Sequence, residues 1–206
     1  MRISTLHRRI IAALSLLPTL AATVSAQVLD LGTLGTYPAG ANALNSSGEV
    51  AGFYTDAGGA SQAFRYKQGD GMQSLGDLNG TATATAYGIN ASGVIVGQAG
   101  AVGGTEAFRW TSGGGMQSLG TLGGANSVAY AVNDSGTIVG RSEINSSSDR
   151  GAFSWINDTR TALGTLDESN FSEARGISAS GVIVGSSVNA RGDRRAVRFS
   201  GGTAID

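Results

Sequence analysis

Four stretches decide the reading: Leu31-Gly32-Thr33-Leu34, Leu75-Gly76-Asp77-Leu78, Leu119-Gly120-Thr121-Leu122 and Leu163-Gly164-Thr165-Leu166. They return at a step of about 44 residues, and a fixed period of that size is the mark of a repeat architecture. Three further landmarks keep the same rhythm. They are the turns Asn45–Gly48, Asn90–Gly93, Asn133–Gly136 and Ser178–Gly181; the glycines Gly52, Gly97, Gly140 and Gly185; and the couplets Phe64/Tyr66, Phe108/Trp110, Phe153/Trp155 and Val197/Phe199.

Within the second copy, Ala86–Ile89, Val94–Val96, Glu106–Trp110 and Met116–Leu119 are short runs rich in β-branched or aromatic residues, bounded by Gly, Asn and Ser. Such runs are strands, and none of the windows is long enough for a helix. The Asn-x-Ser-Gly turns fit tight hairpins, with the Asn side chain bonding the local backbone and Gly taking positive φ. A turn-making role is expected for the 33 glycines generally. Alternation puts Phe64 and Tyr66 on one face and Ala63 and Arg65 on the other, whereas Val94-Ile95-Val96 and Val182-Ile183-Val184 are apolar throughout and are expected to be buried on both faces.

The fold expected is therefore all-β: four repeats of about 44 residues, each a four-stranded antiparallel unit, arranged as a small β-propeller. An open β-solenoid and a truncated larger propeller are the alternatives. In the ring version, Gln27–Leu34 would pair beside Thr203–Asp206 and remove the exposed edges.

Upstream of the repeats, Arg2, Arg8 and Arg9 precede an apolar run from Ile10 to Val24, which ends at Val24-Ser25-Ala26. That pattern is a secretory signal peptide at residues 1–26, cleaved after Ala26, and the run is too short for a spanning helix. The expected product is the four-repeat domain 27–206, secreted to the periplasm or the exterior without a membrane anchor. Losing three arginines makes it more acidic than the formal charge of −1 of the whole chain, so nucleic acid is not an expected partner. The single histidine, His7, leaves with the signal, and the chain has no cysteine. Disulfides, histidine-activated nucleophiles and His or Cys metal sites are excluded, and no cofactor is implied.

The markers Leu119–Gly124, Ala129–Gly140 and Ala152–Trp155 together resemble the extracellular HAF-repeat proteins of bacteria. The resemblance implies export and a propeller-like repeat fold, and it supplies no site residues. The name-giving histidine is replaced by Gln62, Glu106, Gly151 and Arg195, and Val197 stands for the phenylalanine in the last copy.

Candidate site residues fall into two groups. Arg65, Arg109 and Arg198 share one repeat position, with Ser154 in the third copy, and are either anion binders or stems covering apolar surface. Asp77 and Asp167-Glu168 break the repeat. They are ligand contacts, the acid and base of a glycosidase, or solvated loop charges. Arg191-Gly192-Asp193 and the Asn-x-Ser/Thr triplets carry little weight beside their turn chemistry. The function this supports is a secreted, non-catalytic binding or scaffold module for a glycan, cell-surface component or protein. The competing reading is a carboxylate-dependent glycoside hydrolase on a propeller.

Overall fold

The structure, a computed structural model, describes residues 28–35, 38–81, 83–145, 149–200 and 203–205. The expected signal segment 1–26 lies outside them. Among the described residues sixteen strands form four antiparallel sheets. The first sheet holds β1 (Ala39–Leu44), β2 (Val50–Thr55), β3 (Ser61–Lys67) and β4 (Gly71–Ser74). The second holds β5 (Ala84–Ile89), β6 (Ile95–Ala101), β7 (Gly104–Thr111) and β8 (Gly115–Gly120). The third holds β9 (Ser127–Val132), β10 (Ile138–Glu143), β11 (Arg150–Ile156) and β12 (Thr159–Ala162). The fourth holds β13 (Ser172–Ile177), β14 (Ile183–Val188), β15 (Arg194–Ser200) and β16 (Thr203–Ile205). The one helical feature among the described residues is a single 3-10 turn, Leu166–Glu168.

Strands pair in chain order within each sheet, as short hairpin connections dictate. Gly48, Gly93, Gly136 and Gly181 close the first turn of each sheet at φ of 77°, 78°, 84° and 84°. The glycines of the second strands have another role. A Cβ on Gly52, Gly97, Gly140 or Gly185 would sit 1.9–2.0 Å from a carbonyl oxygen of the neighbouring first strand, so here glycine permits close approach rather than a turn. Phe64, Phe108 and Phe153 are the cross-strand partners of the first three, and their rings close over the bare backbone.

Each sheet has two unlike faces. Ile95 and Phe108 of the second sheet face back toward Ala51 and Ala63 of the first, while Val96 and Ala107 face forward to Ile138, Phe153 and Trp155 of the third. Val139 and Ala152 in turn meet Ala174, Val197 and Phe199 of the fourth. The Leu-Gly-x-Leu segment wedges each gap: Leu75 and Leu78 fill the first, Leu119 and Leu122 the second, Leu163 and Leu166 the third. Small residues on one face and aromatics on the next interlock, and this sheet-on-sheet burial supplies the core.

The turn asparagines stitch the repeats together. Asn45 Nδ2 donates to the Asn90 carbonyl at 3.1 Å, Asn90 Nδ2 to that of Asn133 at 3.0 Å, and Asn133 Nδ2 to that of Ser178 at 3.2 Å. Their Oδ1 atoms meanwhile accept from the backbone N–H four residues on, at 2.9 Å in each case. One side chain thus builds its own turn and bonds the next. Ser178 keeps the turn, accepting from Val182 N at 3.0 Å, but has no amide to extend the ladder.

First strands of adjacent sheets pack directly on one another, β1 on β5, β5 on β9 and β9 on β13, and the sheets fan out from that shared edge as propeller blades do. No strand forms among residues 28–35, and Thr203–Ile205 pairs with β15 alone. The expected pairing of the N-terminal residues beside Thr203–Asp206 is therefore not part of the described fold: β16 completes the fourth sheet by itself. The forward face of that sheet is bare, with Val182 38% and Val184 47% exposed. Burial of Val182-Ile183-Val184 on both faces, expected from their composition, does not occur, because no fifth layer among the described residues covers them.

Candidate functional site

Every first strand carries a β-bulge at the same point, opposite the close-approach glycine. The register shifts between Ala41 and Ala43, Ala86 and Gly88, Ala129 and Ala131, and Ala174 and Gly176. The residues left over are Asn42, Tyr87, Tyr130 and Arg175. A bulge kinks a strand and re-aims the extra side chain, which is why bulges recur beside binding sites. Asn42 Nδ2 reaches forward to the Ala86 carbonyl at 2.8 Å. The Tyr87 and Tyr130 ring centroids are 5.9 Å apart and tilted by 53°, and the Arg175 guanidinium lies 4.0 Å from the Tyr130 centroid. Three consecutive sheets thereby present one aromatic and cationic strip.

Beside the strip, Glu173 is buried, its side chain 4% exposed. Its carboxylate receives Arg175 at 2.9 Å, Arg141 at 3.8 Å, the Arg194 guanidinium, and the Ser186 hydroxyl at 3.2 Å. Burial pushes the Glu173 carboxyl up, but the Arg175 hydrogen bond and charge, with Arg194 and Ser186, outweigh it and hold the group below the ordinary glutamate range. One carboxylate cannot neutralise three guanidiniums. Two positive charges are left over, on side chains that are 28% (Arg141), 52% (Arg175) and 55% (Arg194) exposed. Tyr87 is half-buried, and desolvation and the neighbouring Tyr130 raise its phenol above the usual value, with Arg175 and Arg141 opposing.

Arg141 also lines a pocket of about 170 Å³ between the second and third sheets, together with Gln98, Thr105, Asn126 and Glu143. Asn126 organises its wall, donating to Glu143 Oε2 at 2.9 Å and accepting from Thr105 N and Oγ1 at 3.0 and 3.1 Å. The pocket is polar and continuous with the arginine cluster through Arg141.

The residues singled out from the sequence lie elsewhere and are not brought together. Arg65 ion-pairs with Glu49, which Asn45 Nδ2 also bonds at 2.9 Å, and its guanidinium is 5.9 Å from the Trp110 centroid of the next sheet. Arg109 repeats this, 5.3 Å from the Trp155 centroid and bonded to Gln117 at 3.1 Å. Arg198, at the same position on β15, is exposed. Asp77 accepts from Gly80 N at 2.7 Å in the connection between the first and second sheets. Asp167 accepts from Ala190 N at 3.3 Å between the third and fourth, where it and Glu168 have φ of 50° and 54°. Two whole sheets separate these carboxylates in the chain order of packing. The Tyr–Arg strip was missed by sequence reasoning, although a signal existed: the second residue of each Ala-x-x-Leu/Ile/Val motif runs Asn, Tyr, Tyr, Arg inside an otherwise regular repeat.

The fold and its rhythm define a β-propeller-type repeat chain. The chain is similar to the crystal structure of TolB from Acinetobacter baumannii, a β-propeller domain protein, with a TM-score of 0.57 and 14% identity over 82% of this chain and 42% of that one. It thus spans less than half the length of that structure, and the likeness is one of fold. No family model matches the chain, and neither does any curated protein. Among the described residues no helix is long and apolar enough to cross a membrane.

Proposed function

We propose that the chain is an exported, non-catalytic binding module of the HAF-repeat kind, and that it holds a carboxylate-bearing glycan against Tyr87, Tyr130, Arg175 and Arg141. The observation that carries the reading is the charge imbalance around Glu173, where three arginines share one buried carboxylate next to two neighbouring, mutually tilted tyrosines. Guanidiniums bind carboxylates in a fork geometry, and a half-buried tyrosine offers an apolar face to a sugar ring and a hydroxyl to its edge. A net-negative chain that concentrates positive charge at one bulge line is suited to an acidic ligand. Absence of turnover is the companion expectation: beyond His7 the chain has no histidine or cysteine to activate a nucleophile, and Asp77 and Asp167-Glu168 stand in different connections. Export rests on the charged start and apolar run of residues 1–26, and intact mass of secreted material starting at Gln27 checks it.

Calorimetric titration with a polyuronate and with a neutral glucan tests the ligand class. The polyuronate should bind and the glucan should not, binding should weaken with salt, and Arg175→Ala should lower affinity by about tenfold, the equivalent of about 1.4 kcal/mol. Equal binding of the neutral glucan, or none of either, contradicts the reading. Hydrolysis of the polyuronate that vanishes in Asp77→Asn or Asp167→Asn would replace it by the glycosidase.

A further inference from the structure

The two ends of the sheet stack are unlike, and they are complementary. At the three interior contacts a forward face of small residues, Ala51 and Ala63, then Val96 and Ala107, then Val139 and Ala152, with Arg in two cases, receives a Leu-Gly-x-Leu wedge and the bulky couplet of the next sheet. The fourth sheet offers a like forward face, Val184, Ala196 and Arg198, on which no sheet of the described residues packs: Val184 is 47% exposed, whereas its equivalents Val96 and Val139 are at 0%. At the other end the first wedge is less covered than the rest: Leu31 is half-buried and Leu34 43% exposed, while Leu75, Leu78, Leu119 and Leu163 are at 5–6% and Leu122 and Leu166 are half-buried. Val50 and Tyr66, on the backward face of the first sheet, are only half-buried, although Phe64 is already closed over Gly52.

We infer that a second copy of this chain docks head to tail on the bare face of β14 and β15, placing its Leu31–Leu34 wedge and its first sheet where the interior contacts place theirs. The occupant follows from the chain's own template. The bare face is cut to receive a sheet of this repeat, and the chain displays one such sheet, with its wedge, at its opposite end. Arg198 would then lie over Tyr66 of the second copy as Arg65 lies over Trp110 and Arg109 over Trp155. One rung is absent by sequence: Ser178 has no amide to donate across this contact, so it is weaker than the interior three and opens first. A head-to-tail contact is heterologous, and it closes only if the rotation per sheet permits; two copies whose ends meet twice form the smallest closed assembly.

Sedimentation velocity of the purified chain over a range of concentrations reads the inference. A dimer that dissociates on dilution is expected. Val184→Asp, at a position exposed in a single copy, should abolish it with an unchanged far-ultraviolet spectrum, and so should Leu34→Asp at the other end. Mixing the two variants should restore a dimer through the one pair of intact faces, which distinguishes head-to-tail docking from any contact of like ends. A chain that is monomeric at every concentration overturns the inference. If Val184 in that monomer is protected from solvent, the two faces close within one chain; if it is accessible, the face is bare. A dimer that survives Val184→Asp, or variants that do not complement, overturns it as well.

Discussion

Ala91–Gly97 and Ala179–Gly185 are the same seven residues, Ala-Ser-Gly-Val-Ile-Val-Gly, and they end up in different environments. In the second sheet Ile95 and Val96 are fully buried; in the fourth, Val182 and Val184 are 38% and 47% exposed. Both heptapeptides make the same turn, with glycine at φ of 78° and 84°, and the same strand pairing. The local sequence therefore dictates the hairpin, and burial is conferred by the neighbouring sheet. In a repeat stack each unit covers the one before it, so identical sequence carries different energetic weight by position alone.

The largest expected contrast comes from placing a charge on each copy of that heptapeptide. Val96→Asp buries a carboxylate between two packed sheets, where its cross-strand neighbour Arg109 is already held over Trp155 and bonded to Gln117, a penalty of several kcal/mol that should prevent folding. Val184→Asp should change the stability of a single chain by no more than about 0.5 kcal/mol. Denaturant titration of the two variants measures both, and equal destabilisation would break the comparison.

A smaller difference is expected one residue upstream of the heptapeptides. Asn90→Ala removes a turn bond and an inter-sheet rung, leaving buried backbone groups unpaired, at a cost of about 2–3 kcal/mol. Ser178→Ala removes a turn bond at an exposed site and should cost about 1 kcal/mol or less. Reversal of that order would mean that the asparagine ladder is incidental to cohesion.

How far the sequence could be read follows from the same distinction. The strands, the Asn-x-Ser-Gly turns and the four-sheet organisation depend on contacts within a few residues, and all were legible. The roles of Arg65 and Arg109 depend on where the next sheet lays Trp110 and Trp155, and shared repeat position alone left them open between anion binding and packing. Gly97 was read with the turn glycines; its closeness to the Thr85 carbonyl arises from a bulge that has no local signature. That bulge also explains why Tyr87, Tyr130 and Arg175 were overlooked. They occupy the unspecified positions of the motif, and a search for what recurs passes over them, whereas Asp77 and Asp167-Glu168 attracted notice by breaking it.

The smallest effect concerns pH. Glu173 and Glu49 both have carboxyls held below the ordinary range, Glu173 by Arg175 and Arg194 and Glu49 by Arg65 and Asn45, in each case against the opposing pull of burial. A carboxyl whose folded pKa is depressed contributes stability that is present above its unfolded value of about 4.3 and is lost as pH falls through the folded value. Melting temperature should therefore drop on acidification below about pH 4.3, and more steeply in the parent than in Glu173→Gln, which has already lost the charge. Identical acid profiles would remove Glu173 from the account.

The openness of the stack has the most direct test, because the chain contains no cysteine and a single thiol can be placed at will. Val184→Cys and Val96→Cys, each exposed to a thiol reagent at a dilution where copies do not associate, compare the two heptapeptides at one atom. Cys at 184 should label at the rate of an unfolded control, and Cys at 96 only as fast as the chain unfolds. Protection at both positions in a monomer would contradict the open stack and show that the fourth sheet is covered from within the chain.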